Sequence, residues 1–159
     1  MLLIAVVTIL LTVVAMEGVA WLMHKYVLHG FLWFLHKSHH TRHRHIFELN
    51  DLFFVFYGLL SMLFVIKGSP EKDIRFWVGI GIGVYGLLYF LVHDVFIHRR
   101  IRLFGKSDNF YLKGLYIGHK IHHRVHTKNG SECFGMLWVA PKYFALISRK
   151  KDKTVSKVN

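Results

Sequence analysis

Cysteine is almost absent from this sequence: Cys133 is the single one among 159 residues. An intramolecular disulfide is impossible, and the thiolate clusters that hold structural zinc or iron-sulfur centres are excluded. Imidazole and carboxylate remain as ligands, and carboxylates are scarce, with nine Asp and Glu against twenty-one Lys and Arg and a formal net charge of +12. In a soluble protein that excess would suggest nucleic acid, but no RNA- or DNA-binding motif accompanies it, and the cations flank apolar segments. They read as topology determinants and lipid-headgroup contacts, so no nucleic-acid partner is expected. A GxGxxG fingerprint and a CxxCH haem site are also missing. Any redox chemistry here draws its electrons from a separate protein.

What the chain does have is apolar residues, 53% of the total, arranged in blocks rather than at amphipathic intervals. Residues 1–22 form a run broken only by Glu17, without the basic leader or small-residue cleavage site of a signal peptide, and are expected to stay in the mature protein. About 20 helical residues cross a bilayer core, so this run delivers His24 to one membrane face. Residues 52–66 form a second, shorter span, and residues 76–92 a third, whose glycines (Gly79, Gly81, Gly83, Gly86) suit close helix packing in lipid. The stretch CFGMLWVAPKYFALI, with Pro141 and Lys142 in its middle, fits an interfacial helix, a re-entrant piece or a short fourth span equally well. The expected fold is all-α: a polytopic helical membrane protein of three to four spans, one domain over residues 1–147, then a basic, disordered tail over 148–159.

This topology puts every histidine on one side of the membrane. The opposite loop, residues 67–75, has three basic and two acidic residues, leaving eighteen of the twenty-one Lys and Arg for the histidine side and the C-terminal region. The positive-inside rule makes that side cytoplasmic.

Ten of the thirteen histidines form four groups: His24 and His29; His36, His39 and His40; His93 and His98; His119, His122 and His123. Both halves read HX4H followed by HX2HH. On a helix, positions i, i+3 and i+4 fall within about 100° of arc, so each HX2HH group aims three imidazoles in one direction. The HX4H pairs lie about 140° apart on an ideal α-helix, and so either serve different metals or sit on a locally widened turn such as a π-bulge. A lone interfacial histidine is ordinarily a snorkelling or hydrogen-bonded residue, but ten in a twice-repeated pattern point to metal. His43, His45 and His126 fall outside the repeat and are expected in ordinary surface roles. Ten imidazoles exceed what one tetrahedral zinc site uses, and two metals are the economical reading. Ligand type alone does not separate iron, zinc, copper and nickel.

The HX4H, HX2HH, HX4H, HX2HH series resembles the fatty acid hydroxylase superfamily of non-haem di-iron membrane enzymes. Within it, HKYVLHGFLW, NDLFFVFYG, VHDVFIHRR and HKIHH closely resemble the bacterial β-carotene hydroxylases that form zeaxanthin, over residues 17–144, with TRHRH as a departure. The resemblance implies two iron ions, replaceable by zinc on isolation, held by His24, His29, His36, His39, His40, His93, His98, His119, His122 and His123, with O2 as co-substrate. It also implies β-carotene and other apolar carotenoids as substrates, a ferredoxin and its reductase as electron donors, and residence in the bacterial inner membrane.

Asp51 and Asp94 are candidates to accept the outer N–H of ligating imidazoles, with helix capping and pairing to Arg99 or Arg100 equally open. Glu17 shares nearly one helix face with His24, and a carboxyl inside a span marks function or an interhelical hydrogen bond. Phe31, Trp33, Phe53, Phe56, Tyr85 and Tyr89 are candidates to line a substrate entry. A sterol or fatty-acyl hydroxylase or desaturase would use the same histidines. A metal transporter would need ionisable residues along a path through the bilayer, where only Glu17 stands.

Overall fold

A computed structural model of the chain describes residues 1–41, 47–103 and 107–147. Residues 42–46, which carry His43 and His45, and the basic tail expected over 148–159 lie outside the described residues. Helix α1 (Leu2–Leu22) runs directly into a π-helical segment, Met23–Phe31, and is followed by α2 (Trp33–His40) and α3 (Asp51–Gly68). Helix α4 (Ile74–Tyr89) likewise continues as a π-helical segment, Phe90–Ile97, before α5 (Phe110–His122) and a short α6 over residues 141–147. The described residues contain no strand, in keeping with the all-α expectation.

Three continuous helices, Leu2–Phe31, Asp51–Gly68 and Ile74–Ile97, are long and apolar enough to cross a membrane. Each is longer than its apolar run in the sequence, because polar residues at the ends extend the helix without interrupting its backbone ladder. Their outward faces suit lipid: in α3 only Gly68 is buried, while Leu52, Phe54, Val55, Leu59, Leu63 and Ile66 are exposed. Such surface would be penalised in water at roughly 25 cal/mol per Å², a penalty that hydrocarbon removes. Close approach then holds the helices together. A Cβ on Gly79 would stand 2.7 Å from the Val65 nitrogen on α3, and one on Gly81 would stand 2.5 Å from the Thr12 side chain on α1.

The last apolar stretch does not span. Residues 133–140 carry no helix, and α6 is a single short element of two turns. The chain instead packs against α1, where Glu17 meets its backbone, an arrangement that suits the re-entrant option. Seven residues separate Glu17 from His24, about 10 Å along the helix, which is how far the loop descends below the histidines. An acidic residue at the middle of a span costs about 3 kcal/mol to insert, and unpaired backbone N–H groups at membrane depth are penalised as well. Each offsets the other.

Both HX4H pairs sit on π-helical turns, one of the two possibilities that their spacing left open. An i→i+5 hydrogen bond carries residue i+5 back over residue i, and the second pair shows it directly: the His98 N–H donates to the His93 carbonyl at 2.8 Å. Gly30 then leaves helical geometry (φ −106°, ψ −125°) and turns the chain into α2. Arg99, at φ 55°, turns it after His98 so that Arg100 swings back towards α3.

Candidate metal centre

The three spans and α2 and α5 bring all ten patterned histidines to one end of the bundle, where they separate into two clusters. In cluster A, His24, His29, His36, His40 and His122 each offer a ring nitrogen, and these atoms lie within 4.8 Å of one another. In cluster B, His39, His98, His119 and His123 do the same, and His93 joins through its Nε2, 3.0 Å from that of His39. The division is not the one that sequence order suggests. The first HX2HH group gives His36 and His40 to cluster A and His39 to cluster B, while the second gives His119 and His123 to cluster B and His122 to cluster A. On one helix, positions i and i+4 look the same way, and position i+3 lies far enough around to reach the neighbouring cluster.

Hydrogen bonding fixes which nitrogen of each cluster-A ring faces inward. The Nδ1–H groups of His24, His29, His40 and His122 donate to the carbonyls of Phe134, Lys128, Val125 and Glu132 at 2.8–3.0 Å. His36 Nδ1 meets Asn50 Oδ1 at 2.8 Å. Carbonyl and amide oxygens only accept, so each Nδ1 carries the proton, and in a neutral ring Nε2 is a bare lone pair. Burial keeps the rings neutral: it pushes His36 down to about 3, His40 to about 4 and His122 to about 2. The Nε2 atoms of His29, His40 and His122 form a triangle with sides of 3.0, 3.1 and 3.2 Å. Lone pairs that close repel one another unless a cation lies among them.

The spacing also bears on the kind of cation. A metal about 2.1 Å from each nitrogen gives adjacent N···N separations of about 3.0 Å at octahedral angles and about 3.4 Å at tetrahedral ones. The observed sides match the former.

Cluster B differs in its outer contacts. His39 Nδ1 meets Glu48 Oε2 at 2.8 Å, and His93 Nδ1 meets Asp94 Oδ2 at 3.2 Å. These carboxylates stand where cluster A has carbonyls. Arg100 ties them together, bonding both oxygens of Asp51 at 2.8 Å and Asp94 Oδ1 at 2.6 Å, with Glu48 Oε1 at 3.8 Å. Burial pushes His98 down to about 2 and holds His39, His119 and His123 well below the usual imidazole range. His123 Nε2 is buried with no hydrogen-bond partner among the described residues, as an atom reserved for a metal would be.

The remaining candidates are placed as follows. Asp94 touches His93 and also pairs with Arg100. Asp51 contacts no imidazole among the described residues; it accepts the Glu48 backbone N–H and pairs with Arg100, the structural alternative, because it faces Arg100 across the end of α3. Glu17 likewise lies away from the imidazoles, accepting the N–H groups of Met136, Leu137 and Trp138 at 2.8–3.0 Å and the Tyr85 hydroxyl at 2.8 Å. His126 is exposed. Glu48, Asn50 and the carbonyls of residues 125–134 were not foreseen. Glu48 and Asn50 stand in the ELND segment beside the already suspected Asp51, whereas backbone carbonyls have no signature in a sequence.

Beside cluster A, α1, α3 and α4 form a cleft, partly open to the surroundings, that reaches His24 and is walled mainly by apolar groups. Of the six aromatic residues considered for a substrate entry, Phe53, Tyr85 and Tyr89 line it. Trp33 packs instead on His29 and His40, and Phe31 and Phe56 are exposed on the outer face.

Comparison with known proteins shows the family. No family model matches the chain, and no solved structure matches it. Named relatives do. A β-carotene hydroxylase of Pseudescherichia vulneris is 42% identical over 130 residues, covering 82% of this chain and 74% of the relative. One from Pantoea ananas is 42% identical over 133 residues, covering 84% and 76%. Another, from Paracoccus sp. (strain PC1), is 35% identical over 131 residues, covering 82% and 81%. With that identity spread over most of both chains, the protein belongs to the β-carotene hydroxylase family.

Proposed function

We propose that this chain is an O2-dependent β-carotene 3-hydroxylase, converting β-carotene to β-cryptoxanthin and then to zeaxanthin at a centre of two iron ions. The observation that carries the reading is the pair of buried imidazole clusters, one of which closes the end of an apolar cleft. The ten patterned histidines would hold the metals, His24, His29, His36, His40 and His122 at one position and His39, His93, His98, His119 and His123 at the other. Iron bound there supplies O2 activation and hydrogen abstraction from an unactivated C–H bond.

The protein's part is to hold and to exclude. Outward-facing Nδ1–H bonds keep every cluster-A ring in one tautomer and one orientation. Burial keeps water from the reacting carbon. A carotene has no polar handle, so its ring gains affinity only from apolar walls such as Met16, Phe53, Phe54 and Ile82, at roughly 25 cal/mol per Å² buried. With the ring beside His24, the polyene extends into lipid, and the symmetry of the substrate lets the second end enter after the first has been hydroxylated.

Charge asymmetry supports an inner-membrane orientation with the histidines facing the cytoplasm. There the exposed cations of Arg99, Arg102, Lys120 and Arg124 give a small acidic ferredoxin a complementary face, whereas Arg100 is taken up by Asp51 and Asp94, so turnover with ferredoxin and its reductase falls as salt rises. Expression in an aerated host that accumulates β-carotene tests the whole reading: β-cryptoxanthin appears first and zeaxanthin follows. Unchanged β-carotene alongside hydroxylated sterols or acyl chains would transfer the chemistry to another substrate.

A further inference from the structure

The re-entrant loop has two faces that the fold makes interdependent. Its carbonyls at Val125, Lys128, Glu132 and Phe134 receive the Nδ1 protons of four of the five cluster-A imidazoles. No loop carbonyl serves His39 or His93, which are oriented by Glu48 and Asp94. Loops of this kind are ordinarily the least constrained part of a small protein. This one is held by Glu17, whose Oε1 takes the successive N–H groups of Met136, Leu137 and Trp138 and whose Oε2 takes the Tyr85 hydroxyl, while the Tyr111 hydroxyl donates to the Leu137 carbonyl. Met136 is 3% exposed and Val139 5%, so the clamped segment is packed as well as bonded.

We propose that Glu17 is a positioning residue for metal cluster A alone: it clamps the re-entrant loop at the depth where the loop's carbonyls orient His24, His29, His40 and His122. The proposal rests on the two-metal reading above. Glu17 touches no imidazole and acts through the chain between the clamp at Met136–Trp138 and the carbonyls, the nearest at Phe134 and the farthest at Val125. In cluster B the outer contacts of His39 and His93 come from Glu48 and Asp94, which Arg100 joins away from the clamp, and no loop carbonyl orients a cluster-B imidazole among the described residues.

Site selectivity is therefore the test. Purified protein in detergent is loaded with ⁵⁷Fe(II), and iron per chain and the Mössbauer spectrum are recorded for the wild type and for Glu17→Ala, Glu17→Asp and Glu17→Gln. His24→Ala and His119→Ala serve as references that strip cluster A and cluster B respectively. Glu17→Ala is expected to lower tightly held iron from about two to about one per chain, with the surviving signal that of His24→Ala. Glu17→Gln keeps an acceptor oxygen for the three N–H groups and retains about two. If the alanine variant does not accumulate, Glu17→Asp carries the test: its shorter side chain weakens iron retention in cluster A about tenfold against a chelator and leaves cluster B unchanged. Two irons with an unaltered spectrum in both variants overturn the proposal, and so does equal loss from both clusters, which marks Glu17 as a general folding residue. A wild type that binds no iron overturns the two-metal reading itself, a separate result.

Discussion

His39 and His122 occupy the same position in their HX2HH groups, and each reaches across to the cluster built by the other group. His39 Nε2 lies 3.0 Å from that of His93, and His122 Nε2 lies 3.0 Å from that of His40. Each cluster thus takes four imidazoles from one half of the sequence and one from the other.

The crossing residues give the first prediction. His39→Ala and His122→Ala should each lower hydroxylation at least about 100-fold and reduce bound metal, whereas His126→Ala, on the exposed surface, should leave most activity. Carotenoid extracts and metal analysis of the three variants check this, and full activity in His122→Ala would remove the basis for two clusters.

Outer contacts give the second. Glu48→Gln replaces the carboxylate on His39 and Asn50→Ala removes the acceptor on His36, each 2.8 Å from its imidazole. Metal affinity should fall about 10- to 100-fold in each, at cluster B for the first and at cluster A for the second. Chelator competition measures both, and unchanged affinity would reduce these contacts to packing.

Acid should loosen the metal-free protein. Burial lowers His36 to about 3 and His40 to about 4, while an unfolded histidine titrates near 6.5. Because these folded values are depressed, the unfolded chain binds more protons below 6.5. The neutral rings' contribution is therefore fully present above about pH 6.5 and lost progressively as pH falls towards 4 and then 3. Thermal unfolding of chelator-treated protein should shift to lower temperature over that window and stay level between about pH 7 and 8; a flat profile down to pH 4 would contradict the buried, neutral arrangement.

Cleft filling separates substrate binding from metal binding. A Cβ on Gly86 would meet nothing within 4 Å, and the residue lines the cleft, so Gly86→Leu should fold, retain its metal and raise KM for β-carotene about tenfold. Loss of metal in this variant would mean that the side chain disturbs the centre and not the cleft.

Orientation is checked with reporters. One fused at Gly68 should lie outside the cytoplasm and one at Ser107 inside it, since one span, Ile74–Ile97, separates the two positions. Both on one side would overturn the three-span arrangement.

Much of this was legible in the sequence, for identifiable reasons. Apolar blocks announce spans because lipid leaves a helix no need of amphipathic alternation, and the HX4H spacing, awkward on an α-helix, left open separate metals or widened turns, of which the turns are present at Met23–Phe31 and Phe90–Ile97. The crossing of His39 and His122 was not legible, since one motif read alone aims all three of its imidazoles together. Nor were the carbonyls of Val125, Lys128, Glu132 and Phe134, because any residue type supplies a carbonyl. Glu17 could be picked out as a carboxyl where carboxyls are expensive, but not its partners, which lie about 120 residues away in the chain.

The exchange of His39 and His122 makes the metal centre a lock with two keys cut from opposite ends of the polypeptide. Neither half can assemble a complete set of nitrogens before the other has docked, so a metal ion arriving early finds at most four of the five imidazoles of a cluster. Metal content per chain then counts the molecules in a preparation whose ends have met.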